Sequence, residues 1–173
     1  MKSMIALFAA TAALGLSAPA LAADAPTDPQ IAHIAYTAGN IDIAAAKQAL
    51  AKTHNKAVRS FAQQMVRDHQ AVNAKALALV KKLHVTPQDN PTSEALSKGA
   101  NDELAKLSKL SGPAYDRAYI DNEVAYHKTV NGALQSTLIP NAKNGELKSL
   151  LETGLTLFKE HQAHAEQVAK ELK

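Results

Sequence analysis

The chain has 173 residues, no cysteine and no tryptophan, and a formal charge of +3 from 19 Lys/Arg against 16 Asp/Glu. The missing cysteine excludes disulfides, thiolate metal sites and a lipid-attachment cysteine. A charge this small, with no Lys/Arg block and no interleaved aromatics, carries no nucleic-acid signature.

Lys2 and the uncharged apolar run 4–16 read as the start of a cleavable signal peptide. Ala20, Leu21 and Ala22 supply small residues at the cut, placed between Ala22 and Ala23. The run is shorter than the ~20 residues of a membrane span, and no second run follows, so no stable membrane insertion is expected. The organisation is therefore a signal peptide at 1–22, a Pro- and Asp-containing lead at 23–29 and one domain at 30–173, working in the periplasm. Without Lys2 the formal charge is 18 − 16, or +2.

The domain reads as all-α. A first helix is predicted over 30–52, and Asn55 caps a second over 56–83. In that second helix Val58, Ala62, Met65, His69, Val72, Ala76, Leu79 and Leu83 form a stripe with steps of three and four. Two prolines in 84–92 end it, and a short helix follows over 93–110. Ser111 as cap and Pro113 in the first turn open a third long helix reaching about residue 138, striped by Ile120, Glu123, His127, Val130 and Leu134. A fourth, over 145–172, is striped by Leu147, Leu151, Gly154, Phe158, His161, Ala165, Val168 and Leu172. No segment alternates as a strand does. Tight links join helices one to two and three to four, whereas about thirty residues separate two from three. Hairpin, crossover, hairpin is the ferritin-like arrangement of a four-helix bundle. A short internal repeat equates 65–71 (MVRDHQA) with 157–163 (LFKEHQA).

Three histidines fall in the stripes near mid-helix: His69, His127 and His161. Asp42 is midway along the first helix, and Glu123 is one turn before His127 on the same face. Asp68 and Glu160 each precede a histidine, about 100° round the helix, at the rim of the group. Inward imidazoles and carboxylates must satisfy one another or bind a cation. The set His69, His127, His161, Glu123 and Asp42 suits a transition metal such as iron, zinc or copper. His164 lies on a neighbouring face, and His33, His54 and His84 read as end or loop residues. Tyr115, Tyr119, Tyr126 and Met65 read as packing residues, and Lys81 and Lys82 as a solvated face. The bland alternative is a cofactor-free structural or protein-interaction module, its histidines fixing helix register by hydrogen bonds. No reaction follows from the residues, and no protein partner.

Segment 55–69 (NKAVRSFAQQMVRDH), segment 110–120 (LSGPAYDRAYI) leading to His127, and the pair Glu160, His161 resemble domain of unknown function 4142. The resemblance covers about 28–168. It implies an exported bundle of the ferritin-like superfamily in the bacterial envelope, and no established activity. Family members are often labelled outer-membrane proteins, but this chain has no barrel pattern and no lipid anchor. The Glu-x-x-His step of di-iron bundles is missing, since the pairs are Asp68, His69 and Glu160, His161. That counts against a di-iron oxidase. Three histidines at one level, without a Cys-x-x-Cys-His site, count against haem.

Overall fold

A computed structural model describes residues 25–172, so the signal peptide and its cleavage site lie outside the described residues. The described chain is helical, with the elements α1 (Asp28–Lys52), α2 (Lys56–Lys82), α3 (Pro91–Ser108), α4 (Gly112–Ala133), the single turn α5 (Ile139–Asn141) and α6 (Gly145–Glu171). Helices α1, α2, α4 and α6 form the four-helix bundle. The predicted helix bounds hold to within two residues at most ends. The lead is shorter than expected, because α1 opens at Asp28 with Pro29 in its first turn, where proline's missing N–H is harmless.

Local chemistry sets the helix ends. The Asn55 side chain accepts from the backbone N–H of Ala57 (2.9 Å) and Val58 (3.2 Å), as predicted. Asn144 does the same for Glu146 and Leu147 at the start of α6. Ser111 occupies the cap position of α4, but its side chain makes no capping bond. The chain turns there on Gly112, whose φ of +56° is open to glycine at little cost. Near the end of α4, Pro140 removes one N–H from the ladder. The helix widens into a π turn over Leu134–Leu138, and the Ile139 N–H reaches back five residues to Leu134 O.

The crossover explains the topology. Gln88 N–H donates to Pro29 O at the beginning of α3, and Lys52 Nζ donates to Ser108 O and Leu110 O at its end. Helix α3 thus runs alongside α1 for its 18 residues, about 27 Å. It carries the chain from one end of the bundle to the other, so α4 starts beside the end of α1 and runs parallel to α2. A plain up-down bundle would make those two antiparallel.

Two core regions flank the bundle's middle. One is built from Ala46, Ala49, Phe61, Met65, Leu107, Tyr115, Tyr119 and Ile120, all 1% exposed or less. Its tyrosine rings stack at 6.2 Å, and Phe61 meets Tyr119 edge-on at 6.2 Å. The other is built from Ile31, Ile34, Leu134, Leu138, Leu147, Leu151 and Phe158. It encloses a cavity rather than a filled core. The α2 stripe shows the contrast within one helix. Val58, Ala62, Met65 and His69 are buried, whereas Val72, Ala76, Leu79 and Leu83 are only half-buried.

Candidate metal centre

The five predicted residues meet in one layer between the two core regions, with at least one from each bundle helix. Asp42 comes from α1, His69 from α2, Glu123 and His127 from α4, and His161 from α6. All are 3% exposed or less. The imidazole centroids form a triangle of 5.2 Å (His69 to His161), 5.5 Å (His127 to His161) and 5.8 Å (His69 to His127). Asp42 Oδ2 is 3.4 Å from Nε2 of both His69 and His127, out of line for a hydrogen bond. Their mid-helix positions place these residues at one height, and the stripe turns each inward.

Two bonds fix two tautomers. His127 Nδ1 lies 3.0 Å from the Glu123 carbonyl, which can only accept, so Nδ1 carries the proton and Nε2 keeps its lone pair. His161 Nε2 lies 3.1 Å from Asp68 Oδ2, so Nε2 donates and Nδ1 is left free. Asp68 approaches from the rim, where its place on the helix predicted it, and orients an imidazole from outside. Glu160, its partner in the repeat, is exposed, so the two halves of the repeat are used differently. His164 bonds Gln64 at 2.8 Å and stays outside the layer. His54 and His84 are exposed loop residues, whereas His33, expected at an end or loop, sits half-buried within α1.

Within the layer four imidazole nitrogens are buried without a hydrogen-bond partner: both of His69, Nε2 of His127 and Nδ1 of His161. Both Asp42 oxygens and Glu123 Oε2 are in the same state. Orphaned buried polar atoms are costly, roughly 1–3 kcal/mol each. Their convergence makes the donor set suitable for a cation. One ligand atom from each of His69, His127 and His161 lies within 4.8 Å of the others, and so do atoms of Asp42, Glu123 and His127. Because Nδ1 of His127 is committed, that ring has one lone pair to give. The two triads compete for it and describe one centre.

Burial sets the protonation. It pushes His69 down to about 2, with the neighbouring His127 and His161 acting in the same direction. His127 falls to about 4, mainly by burial, with the Glu123 carbonyl bond pulling back. His161 is lowered by burial and partly restored by Asp68. Burial raises Asp42 to about 7, opposed by the neighbouring Glu123 carboxyl. Glu123 is held well above the carboxylate range by burial and then by Asp42. At neutral pH the layer therefore holds three neutral imidazoles, the ligating form, beside a carboxyl pair held towards its protonated form.

Sequence reasoning placed Phe158 in a stripe but missed its role. Its ring stacks on His69 at 4.7 Å and 12°, capping the imidazole layer towards the cavity. The cavity has a volume of about 870 Å³ and runs from this layer to Ala25 and Pro26 at the bundle end. Exposed Pro91, Thr92 and Thr137 are among its lining, so it opens to solvent, and water or a ligand fills it.

Comparison with curated proteins and with solved structures gives no match. A family model described as a domain of unknown function (DUF4142) matches residues 13–168. This helical chain, with its buried histidine and carboxylate layer, belongs to the DUF4142 family.

Proposed function

We propose that the protein is exported to the periplasm and binds one transition-metal ion, iron, zinc or copper, at the mid-bundle layer. His69, His127 and His161 supply nitrogen; Asp42 and Glu123 ligate or balance charge. Its role is metal handling or protection of the envelope under stress. The observation carrying this reading is the convergence of four unpartnered imidazole nitrogens in a layer at most 3% exposed. A hydrogen-bonded register device would pair those nitrogens. The rival interaction module calls for an apolar surface, yet among the described residues Leu77 is the exposed large hydrophobic side chain.

Because the imidazoles are already neutral, the proton linked to metal binding comes from the carboxyl pair. Binding releases protons from that pair, more of them per metal as the pH falls towards 6. The test is elemental analysis of untagged protein purified from the periplasm without chelators, beside a His69→Ala/His127→Ala variant checked for folding by circular dichroism. About one equivalent of a single metal, lost in the folded variant, is expected. Empty protein with flat zinc, copper and iron titrations would end the metal reading. Recovery of the chain in the cytoplasm with residues 1–22 intact would end the export reading.

A further inference from the structure

We infer that the cavity beneath the histidine layer is a binding site for an elongated aliphatic molecule with a neutral, hydrogen-bonding head. The head is a hydroxyl or carbonyl, seated at His69 and His127. This goes beyond the metal reading and is tested apart from it, in metal-free protein, because the head uses the same His69 and His127 nitrogens.

The size is that of a ligand site: about 870 Å³, within the ~300–1,000 Å³ of small-molecule pockets. The walls are aliphatic along all four bundle helices. Ile34 and Ala38 of α1, Val72 and Ala76 of α2, Val130 of α4 and Leu151 of α6 line it. The hollow follows from side-chain size. Ala32, Ala35, Ala38 and Gly39 face it where the opposite half of the bundle receives Phe61, Tyr115 and Tyr119. The π turn at Leu134–Leu138 adds to the same wall, and such turns often mark functional positions.

The head follows from the inner end. His69 and His127 line the cavity, and both His69 nitrogens and His127 Nε2 are buried and unpartnered. Three unpartnered ring nitrogens at the inner end call for a head that donates or accepts hydrogen bonds. Among the described residues no Lys, Arg, Asp or Glu lines the cavity, so a head of either charge would lose its hydration without meeting an opposite charge. At the other end, exposed Pro91, Thr92, Thr129 and Thr137 also line the cavity, giving the chain a route in.

The test uses metal-free protein in chelator, so that a failure here is separate from a failure to bind metal. N-phenyl-1-naphthylamine is titrated as a fluorescent apolar probe, then displaced with 1-dodecanol, dodecanoate or dodecyltrimethylammonium. Saturable binding of about one probe per chain is expected, displaced by dodecanol at least tenfold better than by either charged homologue. Ala76→Phe, which fills the cavity, should weaken probe binding at least tenfold while the unfolding midpoint is kept or raised. Leu77→Phe, on the exposed face beside it, should change nothing. Unsaturable binding, an unaffected Ala76→Phe variant that is folded, or equal displacement by a charged homologue would each overturn the proposal. So would binding by chain starting at Ala23 but not by the 173-residue chain, which would put residues 4–16 in the cavity instead.

Discussion

The two halves of the bundle share four helices and the same heptad-like stripes, yet one is filled and the other hollow. In the filled half, aromatic rings from α2 and α4 interleave with alanines of α1, and Leu107 of the crossover closes the side. In the hollow half, alanines of α1 meet valines and alanines of α2, and no aromatic side chain other than Phe158 is among its buried residues. Backbone geometry alone therefore does not fill a core; the sum of side-chain volumes does. The histidine layer lies at the boundary. A smaller pocket between α1, α3 and α4 reaches Asp42 and Glu123, and the hollow half gives access in front of His69 and His127.

The sharpest way to break this comparison is the same truncation on both sides. Ile120→Ala opens a new void in the filled half and should cost about 4 kcal/mol. Ile34→Ala enlarges a space that already exists, so the cavity penalty is largely absent and about 2 kcal/mol of transfer energy remains. Urea unfolding of the two variants gives both values. Equal losses would mean that the hollow half closes in solution.

A second substitution asks whether the hollow half is hollow because its helices are loosely held. At Gly39 a Cβ would come within 2.3 Å of Asn73 Oδ1, and Asn73 Nδ2 donates to Asn40 Oδ1 at 2.9 Å. Helices α1 and α2 are therefore in close contact beside the cavity. Gly39→Ala should destabilise by a net ~1–2 kcal/mol, even after the ~1 kcal/mol helix gain of alanine. A neutral or stabilising result would show a wall that yields.

The boundary layer gives a pH signature in metal-free protein. Between about pH 6.5 and 4 the unfolded chain protonates its histidines while His69 and His127 stay neutral in the fold, so acidification removes stability. Asp42 works the other way. Folded, it keeps its proton up to about 7; unfolded, it loses it near 3.8, so raising the pH through that window removes stability. The two slopes oppose. Asp42→Asn removes one arm, and the variant should lose about 1.4 kcal/mol more than the parent per unit of acidification between pH 6 and 4.5. Urea midpoints across that range, in chelator, read the slope. An unchanged slope would mean that Asp42 is ionised in the fold.

The site was more legible in the sequence than the cavity beside it, for a physical reason. Height in a bundle of equal helices follows from fractional position, and facing follows from the 3.6-residue period. Asp42, His69, Glu123, His127 and His161 could therefore be brought together from one chain. The crossover was legible because its length excludes a tight turn. The cavity was not, since Val58, Ala62 and Met65 and then Val72, Ala76 and Leu79 read as one stripe. Only the residues facing them from α1, α4 and α6 decide whether the space between is filled. Asp68 was legible as a rim residue, but its bond to His161, 93 residues away, depends on how α2 sits against α6. The π turn was hidden because the third long helix reads as regular to about residue 138, whereas Pro140 disturbs its ladder from beyond that end.

The smallest effect separates packing from local helix chemistry. Asn55 caps α2 at the filled end, and Asn144 caps α6 at the hollow end, each accepting from two backbone N–H groups at 2.9–3.2 Å. Capping is a short-range interaction between a side chain and the first turn, so it does not sense how well the core behind it is filled. Asn55→Ala and Asn144→Ala should therefore each cost about 1 kcal/mol, equal within error, although the two isoleucine truncations differ about twofold. At the hollow end Asp28 also accepts from Lys143 N–H and Asn144 N–H, both at 2.8 Å, and these backbone contacts survive the loss of the Asn144 side chain. If Asn144→Ala proves much less costly than Asn55→Ala, the hollow end is already frayed, and its open core reflects local unfolding. Equal costs place the asymmetry in side-chain volume, within helices that are equally well made.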